Sequence, residues 1–173
     1  MTEPHVVRTG ELTEDRLARV RALLLDAFGG EFSDDDWAHA LGGWHVLAGE
    51  EAHAAVVERA IEVGGRALRA GYVEGVATAP ALQGRGLGSS VMRCVGELLE
   101  RRFDLGVLST GSHGFYERLG WERWQGPSYV RHGDRVVRTA DEDAGIMVLR
   151  CGATARLDLT QSITCESRPG DDW

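Results

Sequence analysis

Apolar positions recur at helical spacing early in the chain. In EDRLARVRALLLDAF (14–28), Leu17, Val20, Leu23, Leu24 and Phe28 share one face, and Gly29-Gly30 closes the helix. SDDDWAHAL opens on Ser33 as N-cap, places three aspartates in the first turn and stops at Gly42-Gly43. From 44 the period changes. WHVLAGEEAHAAVVERAIEVGGRALRAGYVEGVAT reads as three successive strands, with turns near 49–51 and at Gly64-Gly65, the latter a hairpin signal. After a burst of glycines, LGSSVMRCVGELLERR returns to helical spacing, with Val91, Met92, Val95, Leu98 and Leu99 on one face. DLGVLST is then a short buried strand, HGFYERLGW a short helix closed by Gly120, and WERWQGPSYV and GIMVLR further strands. RVVRTADEDAG reads as a charged loop, and CESRPGDDW as a polar tail whose default is to fray. The order predicts an α+β fold with at least one parallel crossover, around the helix that follows Gly86.

Composition narrows the class. A chain of 173 residues fits one domain, 1–173, with a single sizeable core. Acidic residues outnumber basic ones 27 to 19, for a net charge of -8, and every basic side chain except histidine is arginine. No arginine-rich block marks a nucleic-acid face, so no nucleic acid is expected as partner. No apolar run approaches the roughly 18 residues of a membrane span, so no membrane partner is expected either. The N-terminus is polar and acidic, unlike a signal peptide. Cys94, Cys151 and Cys165 are odd in number and far apart, which suggests neither a disulfide framework nor a zinc site and points to a reducing cytoplasm.

The chemistry concentrates in VEGVATAPALQGRGLGSS (73–90). A strand delivers the chain to a glycine-rich turn that opens directly into a helix. The first amides of that helix lack intrahelical acceptors and carry the positive end of its dipole, so the turn is suited to an anion. Arg85 adds a charge-assisted bond to a phosphate. A P-loop is excluded, because Leu87-Gly88-Ser89 supplies no lysine. Gly84, Gly86 and Gly88 give Gly-x-Gly-x-Gly, one residue short of the dinucleotide fingerprint. On residues alone, a glycine-rich loop without a ligand remains equally open.

The order Gln-x-x-Gly-x-Gly, behind a Val/Ala/Thr strand and before an amphipathic helix, resembles the acyl-CoA pyrophosphate loop of the GCN5-related N-acetyltransferases (GNAT). The resemblance implies a mixed, mostly antiparallel central sheet with a splayed strand pair, flanked by helices, and acetyl-CoA as co-substrate. It assigns Val76, Ala77 and Thr78 to the pantetheine arm, and Gln83, Gly84, Arg85, Gly86, Leu87, Gly88 and Ser89 to the pyrophosphate. Further stretches, GEFSDDDWAHALGG (30–43), GYVEGVA (71–77), LGVLS (105–109), FYERLGW (115–121), RTADEDAG (138–145) and the terminal GDDW, are similar to aminoglycoside 2'-N-acetyltransferases.

That narrower resemblance implies transfer of acetyl from acetyl-CoA to the 2'-amine of an aminoglycoside, conferring resistance. Glu74 then takes the amine proton, the backbone N–H of Val76 stabilises the developing oxyanion, and Tyr116 protonates the leaving thiolate. Without the family, Glu74 fits a solvent-facing strand carboxylate and Tyr116 a core aromatic. The resemblance places Glu31, Asp36, Glu74, Gly75, Ser109, Asp141, Glu142, Asp171 and Trp173 around the substrate, with the terminal carboxylate folded into the pocket. Spacing alone assigns Asp34, Asp35 and Asp36 to a helix's first turn. Glu31 and Glu142 stand where some relatives have aspartate, and the loop TGSHGF (110–115) is shorter than in mycobacterial-type enzymes. These departures leave the drug open between the gentamicin/tobramycin type and kasugamycin, whose carboxylate would suit Arg138, His113 or His132. The family also implies a homodimer. Two alternatives stand beside this reading: a GNAT enzyme acting on another amine or a protein N-terminus, and a module that binds CoA or drug without turnover.

Overall fold

The structure, a computed structural model, describes residues 3–173. In chain order it contains β1 (His5–Arg8), α1 (Glu14–Ala27), α2 (Asp34–His39), β2 (Trp44–Ala48), β3 (Ala52–Val63) and β4 (Arg66–Thr78). Then follow α3 (Leu87–Arg102), β5 (Leu105–Ser109), α4 (His113–Glu117), β6 (Glu122–Arg123), β7 (Ser128–His132), β8 (Arg135–Arg138), β9 (Ile146–Arg150) and β10 (Ile163–Glu166). The chain forms two compact units: Met1–Val57 with Val73–Glu97, and Glu58–Tyr72 with Leu98–Trp173. The long elements β3, β4 and α3 run through both.

In the first unit, β1, β2 and the start of β3 pair antiparallel in sequence. The core lies under α1, whose Val20, Leu23 and Leu24 pack with Leu47 of β2 and Ala77 of β4. Thr13 caps α1 by accepting from the Arg16 amide, and Ser33 caps α2 as its serine predicts.

In the second unit the strand order is β6-β9-β5-β4-β3-β10-β7-β8. Most pairs are antiparallel. The exceptions are β4 with β5, the predicted crossover through α3, and β7 with β10. The β4–β5 ladder runs from Ala70↔Leu105 to Tyr72↔Val107 and stops well short of the end of β4, as the splayed pair requires. Leu105, Val107, Ile146, Met147 and Val148 are fully buried on the central strands, and α3 buries the face the periodicity selected, from Val91 to Leu99.

Three segments differ from the sequence reading. RVVRTADEDAG is not all loop: 135–138 form β8, paired with β7 across a turn at Gly133, and Ala140–Glu142 form a 3-10 turn. The tail is not frayed, since Cys165 and Glu166 lie in β10 and Trp173 is buried. Finally, β1 is a strand that its short run of two valines did not announce. Among the described residues no helix is long and apolar enough to cross a membrane.

Candidate active site

In the first unit the extended course of β4 is interrupted one residue after Glu74. Gly75 has φ +55°, a left-handed value that a side chain resists, and a Cβ there would meet Leu24 Cδ2 at 3.2 Å. Glu74, Gly75 and Val76 are all half-buried. The Gly75 carbonyl accepts a hydrogen bond from His53 Nδ1 at 2.7 Å, and His53 Nε2 lies 2.9 Å from His45 Nδ1. His45 Nε2 in turn lies 2.9 Å from Thr9 Oγ1, which accepts from the Gly42 amide at 3.0 Å. Both imidazoles are fully buried. Loss of hydration lowers His45 to about 4 and, with repulsion from His45 added and the Gly75 bond opposing, lowers His53 to about 3. Unfolded histidines take protons near 6.5 and these refuse them. Their contribution to stability is therefore complete above 6.5 and is lost as pH falls toward the folded values. The sequence reading missed this pair. The signal lies in the hairpin register: His45 faces Ala55 and His53 faces Leu47, which makes the two histidines diagonal neighbours on one face.

Beyond β4 the Ala79 amide bonds to the Glu51 carbonyl at 2.8 Å, a 3-10 turn covers Pro80–Leu82, and Gln83 Nε2 reaches the Thr78 carbonyl at 3.4 Å. Gly84 and Gly86 take φ of +76° and +87° with nothing within 4 Å of an added Cβ, so backbone conformation rather than crowding calls for glycine there. The loop 83–86 is exposed, Leu87 is buried, and Gly88 and Ser89 are half-buried. Helix α3 starts at Leu87, and the Ser90 amide bonds to the Gly86 carbonyl at 3.0 Å. The amides of Leu87, Gly88 and Ser89 precede that first bond and have no intrahelical acceptor. Three orphan amides, a helix dipole, an open glycine surface and Arg85 suit a diphosphate, so the residues fit CoA.

The other acids of the first unit divide. Glu31 is exposed just after Gly29-Gly30. Asp36 closes a capping box: its Oδ2 accepts from the Ser33 amide and from Ser33 Oγ, both at 2.8 Å. Asp34 pairs with Arg21.

In the second unit, Ser109 is exposed at the end of β5, and a Cβ at Gly145 would lie 2.7 Å from its Oγ. Tyr116 is the buried residue of α4, edge-on to Phe115 and Trp121. Burial pushes its phenol up to about 12, so it keeps its proton at neutral pH. Asp141 and Glu142 sit exposed on the 3-10 turn before β9. Glu142 is raised above the ordinary carboxyl value, first by desolvation and then by Asp171, Asp141 and Asp172. Their acidic neighbour Asp143 behaves differently. Arg138 Nη1 donates to its Oδ1 at 2.7 Å, Nη2 pairs with Oδ2, and Ser128 donates from N and Oγ at 2.9 and 2.7 Å, which holds Asp143 down at about 2.

The tail is tied to the same unit. Arg59 donates to the Asp172 carbonyl at 2.7 Å and the Glu166 carbonyl at 2.8 Å, the Arg168 amide donates to Asp172 Oδ1 at 2.8 Å, and Trp173 Nε1 donates to Thr139 Oγ1 at 3.2 Å. Asp171 stays exposed. Asp172, absent from the sequence-derived set, joins the carboxylates acting on Glu142.

Comparison with known proteins agrees with this chemistry. A family model, Acetyltransferase (GNAT) domain, matches residues 8–124. A curated relative, the Aminoglycoside 2'-N-acetyltransferase of Mycolicibacterium fortuitum, is 42% identical over 97% of this chain and 90% of its own. The GNAT family N-acetyltransferase of Escherichia coli, solved in complex with CoA, is 16% identical and superposes with a TM-score of 0.66, covering 98% of this chain and 95% of the other. The GCN5-related N-acetyltransferase of Kribbella flavida superposes at 0.54 with 24% identity over 73% of this chain, which spans only 34% of that longer protein. These two structures bear on the fold alone. The loop, the fold and the family match agree: the chain belongs to the GNAT family and is an acetyl-CoA-dependent N-acetyltransferase.

Proposed function

We propose that this protein is an aminoglycoside 2'-N-acetyltransferase, conferring resistance by acetylating the 2'-amine of the drug. The observation that carries the reading is the set of acids in the second unit. The Glu142 carboxyl is raised first by desolvation and then by repulsion from Asp171, Asp141 and Asp172, and a polycationic ligand is what would relieve that repulsion. The 42% identity to a relative named for this activity supports it.

Acetyl-CoA supplies a thioester carbonyl open to attack and a sulfur that leaves as thiolate. The amides of Leu87, Gly88 and Ser89, with Gln83, Gly84, Arg85 and Gly86, hold its pyrophosphate; Val76, Ala77 and Thr78 offer backbone groups to the pantetheine arm. Glu74 receives the amine's proton, directly or through water. The Val76 N–H donates to the carbonyl oxygen as charge grows there. Tyr116, protonated at neutral pH, returns a proton to the sulfur as the C–S bond breaks and the C–N bond forms. Glu31, Asp141, Glu142 and Asp171 bind the amines of the acceptor, with Gly75, Ser109 and Trp173 lining it. Asp36 spends Oδ2 on the helix cap and meets the acceptor only with what remains.

Arg138 is committed to Asp143, and His113 Nε2 bonds the Ala144 carbonyl at 2.6 Å. Two of the three groups suited to kasugamycin's carboxylate are thus occupied, which favours the gentamicin/tobramycin type. A homodimer, on the family resemblance, in a reducing cytoplasm, on the three scattered cysteines, with residues 1–173 working as one catalytic domain, completes the proposal.

Thiol release from acetyl-CoA, measured with matched 2'-amino and 2'-hydroxy drugs and kasugamycin alongside, tests the reading. Turnover is expected on the 2'-amino drug, with mass spectrometry placing the acetyl group there. Equal turnover on the 2'-hydroxy drug points to a GNAT enzyme of other specificity, and tight binding without turnover to a sequestering protein.

A further inference from the structure

The buried chain from Thr9 through His45 and His53 to Gly75 has no part in the roles above, yet it ends on the peptide beside Glu74. Hydrogen-bonding capacity gives it a direction. A carbonyl only accepts, so His53 Nδ1 carries a proton and points it at the Gly75 oxygen, 2.7 Å away. A neutral His53 then offers a lone pair at Nε2, which takes the Nδ1 proton of His45 at 2.9 Å. His45 Nε2 is left as acceptor and takes the Thr9 hydroxyl at 2.9 Å, while Thr9 accepts the Gly42 amide. Every polar atom of the chain is satisfied with both rings neutral, and each proton points toward β4.

The far end is not a base. A carbonyl does not take up a proton near neutral pH, so the chain is no proton relay to Glu74. Leucine at both positions would fill this hairpin face without desolvating two imidazoles. What the chain provides is a hold on one peptide. The Gly75 carbonyl and the Val76 N–H belong to the same peptide unit, and no cis peptide occurs among the described residues, so the two bonds point in opposite directions. Anchoring the carbonyl on His53 aims the N–H to the opposite side. A carbonyl that accepts a short hydrogen bond also polarises its amide, which makes the N–H on the other side a stronger donor. Gly75 is the residue where such a hold matters, because its left-handed φ interrupts the extended course of β4 just before this peptide.

We propose that His53, itself oriented by His45 and Thr9, is a positioning residue that aims and polarises the Gly75–Val76 peptide, so that the Val76 N–H is a prepared donor to the thioester carbonyl oxygen. The proposal rests on the donor role given to Val76 above.

The test combines NMR of the protein without substrate with steady-state kinetics. Imidazole nitrogen shifts are expected to report Nδ1-protonated, neutral tautomers at both His45 and His53. His53→Leu removes the donor, and His53→Asn places an amide N–H near the former Nδ1. The Val76 amide resonance should move in His53→Leu and return toward its original position in His53→Asn. With acetyl-CoA and a 2'-amino aminoglycoside, His53→Leu should lower kcat about 10- to 100-fold with the acetyl-CoA KM within about twofold, the loss expected when a reacting group is slightly misplaced. His53→Asn should recover most of kcat. An Nε2-protonated His53, a Val76 resonance unmoved in His53→Leu, or equal kcat loss in the two variants overturns the proposal. If the wild-type protein acetylates no 2'-amino drug, the functional reading fails by itself, and the tautomers and the Val76 resonance still decide this one.

Discussion

Two acidic runs, Asp34-Asp35-Asp36 and Asp141-Glu142-Asp143, look alike in sequence and are used differently. In the first, Asp34 pairs with Arg21 and Asp36 closes the capping box with Ser33, at the end of α2 where the helix dipole favours negative charge. In the second, one acid of three is neutralised: Asp143 is held by Arg138 and Ser128. Glu142 instead faces desolvation and the charges of Asp171, Asp141 and Asp172. A carboxylate in the first run stabilises the chain that carries it. In the second, like charges are held close by a turn and a docked tail, and in the function proposed above the relief comes from the acceptor. Counting acids does not separate these cases; following each one to its partner does.

The contrast can be broken at several points. Deleting Trp173 should release the tail that carries Asp171 and Asp172 and raise the drug KM on the order of 30-fold, the scale of a central aromatic anchor, with acetyl-CoA use intact. An unchanged drug KM would take the tail out of acceptor binding. Asp143→Asn should act on stability instead, costing about 1–2 kcal/mol in chemical denaturation after allowing for its partial exposure, with drug KM preserved. Because the folded carboxyl sits near 2, below its ordinary 3.8, that contribution is present above 3.8 and disappears as pH falls toward 2. A wild-type and variant difference that persisted unchanged at pH 2 would contradict the assignment. Ser33→Ala should cost about 1 kcal/mol of stability through the lost cap and leave drug KM alone. A raised KM there would show that Asp36 depends on its cap to meet the acceptor. Tyr116→Phe stands apart from the two runs: a kcat equal to wild type would return the tyrosine to the core.

Much of the helices, the β3–β4 hairpin and the loop was legible because their signals are local. Ser33, the Gly64-Gly65 turn and the apolar face of α3 each carry their own element. The strands that were missed depend on distant partners. β10 is held by β3 on one side and β7 on the other, and its four residues have too little alternation to declare themselves. β8, RVVR, leaves Val136 and Val137 exposed, so no buried face marked it. The docking of the tail relies on Arg59 and Thr139, far away in sequence, and was foreseen only through family resemblance. The histidines failed for a related reason. Each alone is an ordinary strand residue, and only the β2–β3 register joins them to Gly75. In the candidate site, residue types marked the loop and the acids; separating the acids that have a partner in the chain from those that repel one another needed the structure.

The most direct measurement is the steady-state kinetics of the Asp141→Asn/Glu142→Gln double variant, with Ser33→Ala as its companion. If the unneutralised run receives a polycationic acceptor, the double variant should raise the drug KM at least about tenfold while the acetyl-CoA KM stays within about twofold, since only acceptor recognition loses its charge partners. A drug KM equal to that of the wild type, in a folded protein with normal acetyl-CoA use, would contradict the account.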